Sequence, residues 1–491
     1  MSAEPAAPTG GVARTVAGNS GWRLVAFVAR AVGGLVATAL LARAGGPTAL
    51  GTYQLGLTVA TILTFAVTLG LPNLLVREVA RRPDESRLWA EGTMSTTLMA
   101  GAALTALMAI ATSLLPISSQ QGTVLVLAAG AITFDATSQV LFALFWAWQR
   151  MRFEALSICV QEAAFVGLTV LALRHDGGPA GVMAAYLVTR LLGAVSGWAM
   201  ASWTLREMIV PRLHRPFMRP TLRAAVPFAA DDALSATYIR ADAVIVGILK
   251  GPAAVGLYQA CTNLVLYMNV LPRMLNSALF APLSKAWPDD PKLFGRLRDS
   301  SLRVLGALGV PIAVGSILLA EKILVFIYGP DFAQAATCYR ILSVVIPLRM
   351  LGHTLGTALT SANGQTRRTA AVGTAAVVNV VLNLVWFIPA LSYVGAAWTT
   401  VITETGLFLG YAWLLHRLVG PSKVGQALAL PAIASLPLVG AVLAVHDASL
   451  LVAIVAGAAA YGLGLLAVAY VRAPRDARMR PKAVLASFVK A

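Results

Sequence analysis

Apolar runs long enough to cross a bilayer recur along almost the whole chain, separated by short polar interruptions. A spanning helix needs roughly 20 consecutive, mostly apolar residues. On that scale the pattern predicts spans over 22–42, 50–70, 92–115, 122–147, 155–173, 180–203, 223–249, 256–283, 301–320, 338–360, 370–390, 394–416, 426–446 and 449–471, fourteen in all. The expected fold class is all-α, a polytopic membrane protein. Residues 1–21, small, polar and Pro/Gly-containing, read as a disordered cytoplasmic tail; no basic stretch runs straight into an apolar core with a cleavage site, so they do not read as a signal peptide. Residues 205–222, with Pro211, Pro216 and Pro220, read as a cytoplasmic linker between a lobe over 22–204 (helices 1–6) and a lobe over 223–417 (helices 7–12). Two further helices occupy 418–471, and 472–491 read as a basic cytoplasmic tail.

Composition agrees. Hydrophobic residues make up 58% and charged residues 12% of the 491 residues, and mean hydropathy is +0.75. Typical soluble domains carry about 25% charged residues, so a soluble enzyme, a disordered chain and a collagen-like repeat are all excluded. The 38 Lys and Arg against 21 Asp and Glu leave a net charge of +17, which suits either nucleic acid or the cytoplasmic loops of a membrane protein. Distribution decides between them. With the N-terminus inside, the outer loops hold only Arg43, Arg174, Lys250 and Lys322, and the positive-inside rule absorbs the whole excess. The expected location is the inner (plasma) membrane, with both termini cytoplasmic and no nucleic-acid partner. Cys159, Cys261 and Cys338 lie far apart in apolar runs without metal-ligand or disulfide spacing. No loop is long enough to form a folded catalytic domain, and the dipeptide Gly-Lys of a phosphate-binding loop is absent. The chain therefore reads as a non-enzyme without a cofactor. Any energy input would come from an H+ or Na+ gradient, the membrane potential or downstream consumption of the product.

An internal repeat follows. Residues 46–54 read G-P-T-A-L-G-T-Y-Q and residues 251–259 read G-P-A-A-V-G-L-Y-Q, each bridging an outer turn and the start of an even-numbered helix. Weaker echoes pair Val182–Tyr186 with Val394–Trp398, and Gln149–Arg152 with Gly364–Arg367. Six helices separate the copies, which makes them parallel repeats of the kind transporters use, with substrate sites where repeats meet.

The stretch from Leu40 to Tyr53 resembles the first outer turn of the polysaccharide-biosynthesis (Wzx-type) flippases of the multidrug/oligosaccharidyl-lipid/polysaccharide exporter superfamily. Arg240-Ala-Asp-Ala-Val-Ile-Val-Gly247 running into Gly256-Leu-Tyr258 is similar to the family's seventh helix and second turn, and Phe326 to Leu342 to its amphipathic segment before helix 10. The resemblance covers residues 22 to about 416 and, more loosely, the last two helices. It implies an inverted-V exporter fold of two pseudo-symmetric lobes. The implied activity is movement of a polyprenyl-diphosphate-linked oligosaccharide from the cytoplasmic to the outer leaflet for surface polysaccharide biosynthesis, with a glycan polymerase or glycosyltransferases as partners. A drug/cation antiporter or a lipid II-type flippase of the same superfamily stays open as an alternative.

Arg30, Arg190, Arg240, Arg273, Arg340 and Arg349 lie within predicted spans. An Arg at mid-helix costs roughly 2.5–3.5 kcal/mol on insertion scales, so each needs a wet cavity, a partner acid or an interface. Helical spacing aligns Arg349, His353, Thr357 and Thr360 on one stripe, Thr262, Asn269, Arg273 and Asn276 on another, and Asp231, Ser235, Tyr238 and Asp242 on a third, with Asp232 and Arg240 beside it. Asn379 and Asn383 stand one turn apart, and Arg190 sits opposite Asp135 and Glu162. A guanidinium gives bidentate donors to a diphosphate, and Asn side chains suit a sugar chain. Arg30, Arg190, Arg273, Arg349, Asn269, Asn379 and Asn383 are therefore the candidate substrate-binding set. Arg30 and Arg349, one from each half, are the favoured diphosphate clamp, because no acid in its own helix can pair with Arg349. Asp231, Asp232, Asp242 and Arg240 are candidates for ion coupling or ion pairing. The rival reading for every Arg is that it pairs with the intramembrane acids.

Overall fold

The computed structural model describes residues 9–472. It is helical throughout, and seventeen α-helices follow one another along the chain: α1 Thr9–Thr68, α2 Leu71–Arg81, α3 Ser86–Leu114, α4 Ser119–Ala147, α5 Arg152–Arg174, α6 Gly178–Leu205, α7 Arg215–Tyr267, α8 Val270–Ala286, α9 Pro291–Leu318, α10 Ala320–Tyr328, α11 Ala336–Ser343, α12 Val345–Ser361, α13 Gln365–Leu382, α14 Ile388–Val419, α15 Val424–Ala434, α16 Leu436–Ala444 and α17 Leu450–Arg472. Among the described residues, eleven helical stretches are long and apolar enough to cross a membrane. Three of these, Gly21–Thr68, Ile239–Ala286 and Gln365–Val419, run to 48, 48 and 55 residues. At 1.5 Å per residue, 48 residues reach about 72 Å, more than twice a hydrocarbon core of about 30 Å. Each must therefore supply two spans around a break, and the fourteen expected spans are recovered.

Two of the three breaks have a common local cause, whereas the third falls at Ser392 (φ 55°, ψ −138°), three residues past Pro389. Gly46 (φ 67°, ψ −167°) interrupts α1 and Gly251 (φ 80°, ψ 178°) interrupts α7, the two glycines that open the G-P-x-A-x-G-x-Y-Q repeat. That backbone region is essentially restricted to glycine. The proline that follows has its φ preset for a first helical turn and no N–H to leave unsatisfied. Gly178, Gly329 and Gly420, each also followed by proline, have positive φ as well. Interruptions inside predicted spans track proline too. Pro272, Pro347 and Pro437 lie just past the junctions α7–α8, α11–α12 and α15–α16, and Pro389 follows the π-helical turn Asn383–Phe387. Proline cannot donate to the carbonyl four residues back and its ring crowds it.

Two features differ from expectation. Of the tail assigned to 1–21, residues 1–8 lie outside the described residues, but helix α1 already starts at Thr9. Val12-Ala-Arg-Thr-Val-Ala17 is a helix-compatible run, and the surrounding glycines masked it. The C-terminal tail from 473 onward also lies outside the described residues. Secondly, the chain packs as two units that divide between Val244 and Ile245, inside α7, whereas the linker at 205–222 was the expected boundary. Packing explains the shift. Leu222, Ala225 and Phe228 of α7 join the apolar cluster built on Leu71, Leu74 and Leu75 of α2. Gly70 (φ 71°) lets α7 approach so closely that a Cβ there would fall 2.6 Å from the Ala225 carbonyl oxygen.

Within the first unit one apolar cluster gathers Leu141, Leu144, Phe145 and Ile158, and another gathers Leu41, Tyr53, Val124 and Phe165. In the second, Leu302, Leu351, Leu355 and Leu415 form one core. Large apolar side chains also stand outward, among them Leu107 (62% exposed), Ile248 (77%) and Leu463 (68%), as a surface facing acyl chains rather than water requires.

Candidate functional site

Each unit encloses a buried polar cluster. In the first unit, Arg190 of α6 is 2% exposed. Its Nη2 donates to Oε1 of Glu162 on α5 at 2.6 Å, and its Nη1 lies 3.7 Å from Oδ1 of Asp135 on α4. The guanidinium also sits 4.6 Å from the ring centre of Tyr186. Gln139 Nε2 donates to the other oxygen of Asp135 at 2.8 Å. Gln139 of α4 and Glu162 of α5 fall between the two apolar clusters of the unit and Asp135 at the edge of one, so the charges form a polar layer near mid-helix. A glycine of α1 completes it. At Gly33 a Cβ would lie 2.8 Å from Cβ and Oε2 of Glu162, so only glycine admits this approach. Nearby, Ser157 and Ser196 bond at 2.6 Å, and Gln161 Nε2 donates to Ser157 at 3.0 Å.

In the second unit, Arg349 of α12 holds Oε1 of Glu404 on α14 with Nε and Nη2, both at 2.8 Å. Asn379 Nδ2 of α13 donates to Thr403 Oγ1 of α14 at 3.3 Å, and Asn383 Nδ2 donates to Asn379 Oδ1 at 3.1 Å. One helical turn from Thr403, Thr400 shares a hydrogen bond with Tyr258 of α7 at 3.3 Å.

The two clusters are copies of one design with the charges exchanged. Shifting the first unit by 214 residues takes buried Ala185, Thr189, Arg190, Ala194, Gly197 and Ala201 of α6 onto Thr399, Thr403, Glu404, Phe408, Tyr411 and Leu415 of α14, all buried. The same shift takes Gln161, Phe165 and Thr169 of α5 onto buried Ala375, Asn379 and Asn383. Asp135 and Arg190 then fall on Arg349 and Glu404. An acid on α4 facing an Arg on α6 becomes an Arg on α12 facing an acid on α14. Coulomb attraction is indifferent to which partner carries which sign, so each bundle ties the same two helices together. The second acid, Glu162, falls on Ala376 and has no counterpart.

The candidate residues thus separate. Arg190 is enclosed by acids within its own unit, and Arg349 has a cross-helix partner that a search of its own helix could not find. Asn379 and Asn383 are buried and bonded to each other. Asn269 is half-buried at the junction of α7 and α8. Arg30 on α1 and Arg273 on α8 are exposed, and no ion pair involves either among the described residues. Arg23 and Arg30 share one flank of α1, roughly opposite the exposed face of Val25, Val28, Val32 and Val36. Arg30 lies within electrostatic reach of Tyr186 and Glu154, and Arg273 of His353. Arg240, Asp232 and Asp242 are all engaged in interactions, with Asp242 8% exposed, while the Asp231 side chain lies outside the described residues. Sequence reasoning missed Gly33, Gln139 and Tyr186; mid-helix Gln139, one turn from Asp135, was the available signal. Among the described residues no group of three or more His, Cys, Asp and Glu side chains could hold a metal ion.

A polytopic helical membrane protein built from duplicated bundles, with arginines buried in each, is the architecture of a transporter. The family model "Polysaccharide biosynthesis protein" matches residues 16–287, and the chain belongs to that family. No curated protein sequence matches the chain significantly. Among solved structures, the lipid II flippase MurJ in an inward closed conformation is similar at 14% identity, with 90% of this chain and 97% of that one covered and a TM-score of 0.74. An inward-facing multidrug resistance MATE family transporter of the MOP superfamily is similar at 14% identity, covering 79% and 94%, with a TM-score of 0.66. A MOP superfamily transporter from Pyrococcus furiosus, described as having a binding pocket of reverse polarity, gives 14%, 82% and 95%, with a TM-score of 0.58. At such identities the likeness establishes a shared fold.

Proposed function

We propose that the protein is a flippase that carries a polyprenyl-diphosphate-linked oligosaccharide from the cytoplasmic to the outer leaflet of the plasma membrane, with both termini cytoplasmic, for surface polysaccharide biosynthesis. Family membership and the exporter fold support the class of cargo. The observation that carries the chemistry is the division among the intramembrane arginines: Arg190 and Arg349 are committed to acids, whereas Arg30 and Arg273 stand exposed on apolar helices. A permanently charged, bidentate donor on a spanning helix is costly unless it meets water, an interface or an anion, and a diphosphate is the anion this cargo supplies. The lipid tail needs no polar site, and glycosyltransferases and a polymerase would act before and after transport. Coupling to an H+ or Na+ gradient or to the membrane potential is assigned to the helix-7 acids Asp231, Asp232 and Asp242 with Arg240.

A lipid II-type flippase is the second reading, favoured by the likeness to MurJ. Both readings share the diphosphate, and export of the native surface glycan separates them. The test is complementation of glycan export by Arg30→Ala and Arg273→Ala variants at matched membrane levels. Loss of one charged hydrogen-bonding partner costs about 1.5–3 kcal/mol, roughly tenfold to a hundredfold in affinity, with partial rescue by Lys. Full export by the double Ala variant, or efflux of cationic dyes by the parent, refutes the assignment.

A further inference from the structure

In the second unit, the first turns of α9 and the chain that leaves α14 enclose a cleft of about 510 Å³. Its wall carries the cations Lys292, Arg296, Arg298, Arg303 and Lys423 against a single carboxylate, Asp299. Lys292, Arg296, Asp299 and Arg303 follow one another at helical spacing along one face of α9. The back is rigid. Arg298 is 3% exposed, with Nε donating to Asp299 Oδ1 at 2.8 Å and Nη2 to the Pro421 carbonyl at 2.7 Å. Lys292, Arg296 and Lys423 are exposed at the mouth, and Gly295 leaves the floor open, since a Cβ there would meet nothing nearer than Arg298 at 4.0 Å.

The internal repeat makes this surplus notable. A shift of 208 residues takes buried Ala90, Glu91, Ser95 and Thr97 of α3 onto buried Arg298, Asp299, Arg303 and Leu305 of α9. In the first unit that corner is neutralised internally: Arg87 pairs with Glu91 at 2.9 Å and with Glu207, and Glu91 also meets His214 at 3.4 Å. In the second unit the acid is retained as Asp299, while two neutral positions become Arg298 and Arg303 and no second acid lines the cleft. A cleft lined by cations at that density focuses a positive potential that attracts a counter-anion. α9 is a membrane-spanning helix, so its first turns fall at headgroup level, on the side where the charge pattern places the cytoplasm. Basic pockets between spanning helices at that depth suit anionic lipid headgroups.

We propose that this cleft is a binding site for a phosphate monoanion or dianion, supplied by the headgroup of an anionic phospholipid of the surrounding leaflet. The buried arginines form the fixed back of the site, and Lys292, Arg296 and Lys423 close on the phosphate from the mouth. The site is distinct from the arginines assigned to the cargo and does not depend on what the cargo is. The test uses the purified full-length protein in detergent, titrated with phosphatidylglycerol, phosphatidylcholine and inorganic phosphate and read by native mass spectrometry. The parent should retain phosphatidylglycerol in preference to phosphatidylcholine. The exposed-residue variant Lys292→Gln/Arg296→Gln/Lys423→Gln, which leaves Arg298 and Asp299 untouched, should bind it at least about tenfold more weakly. Arg296→Glu alone should reduce it similarly, and thermal unfolding of each variant checks that the fold is intact. Equal phosphatidylglycerol retention by parent and variants overturns the site. Binding of inorganic phosphate that phosphatidylglycerol does not displace overturns the lipid as its source.

Discussion

Replacing Arg190 with Met tests whether the charged layer of the first unit is structural. The side chain is 2% exposed and serves Glu162, itself 4% exposed, at 2.6 Å and Asp135 at 3.7 Å. Removing it leaves two carboxylates facing each other between apolar clusters. Breaking a buried pair by deleting one partner typically costs 3–5 kcal/mol, a large part of a total stability of about 5–15 kcal/mol. At about 2–4 °C per kcal/mol for a unit of this size, the melting temperature should fall by roughly 6–20 °C. The triple variant Asp135→Asn/Glu162→Gln/Arg190→Met removes every charge of the layer and keeps a polar partner for Gln139. It should regain most of the loss, since neutral replacement of buried ion pairs is often tolerated. The assay is thermal unfolding of detergent-solubilised protein followed by fluorescence-detected size exclusion, with glycan export measured in parallel. A single variant as stable as the parent, or a triple variant no better than the single, would refute the reasoning. A stable triple variant that has lost export would return Arg190 to the cargo-binding set.

The exchanged pair of the second unit predicts that Arg349→Glu and Glu404→Arg each lower stability, while the double exchange, which recreates the polarity of Asp135 and Arg190, recovers it; a double variant as damaged as either single one defeats the proposed equivalence. Charge distribution predicts that Cys introduced at Ser118 or Gly177 reacts with an impermeant thiol reagent from outside intact cells, whereas Cys at Pro216 or Arg367 is protected; a reactive position 216 would overturn the orientation.

Spans and repeat were legible because both rest on local chemistry. A run of about 20 apolar residues has few other uses, and Gly-Pro encodes a backbone break in two adjacent positions, as Gly46 and Gly251 show. What escaped depends on neighbours distant in sequence. The helix α2 over Leu71–Arg81 buries Leu71, Leu74, Leu75 and Val79 and shows charge on its other face, but eleven residues with three charges fall below the length of a span and merged into a polar loop. The junction of α7 and α8 lay inside a continuous apolar run, where Pro272 was the signal. The register between the bundles was hidden more deeply. The G-P repeat recurs at 205 residues and the helices behind it at 214, because the intervening connections differ in length. Among helices rich in Ala, Gly and Val, only the pattern of burial distinguishes one alignment from the next.

The same limit governs the charges. Counting acids and arginines inside the spans suggests that they balance, yet it cannot say which pairs form. Arg190 finds Glu162 at a separation of 28 residues, and Arg349 finds Glu404 at 55. Helical periodicity compares residues within one turn or two and sees neither; equal depth in the spans set Arg190 opposite Asp135 and Glu162, but nothing matched Arg349 with Glu404. Periodicity therefore ranked Arg349 as the freest arginine, because no acid shares its helix, although an acid from α14 occupies two of its nitrogens. Once Arg190 and Arg349 are assigned to helix pairing, the case for anion recognition rests on exposed Arg30 and Arg273. Under the proposed function, theirs is the charge that the cargo neutralises. That is why the Arg30→Ala and Arg273→Ala variants should lose export while keeping the parent's melting temperature, and the Arg190→Met variant should lose both.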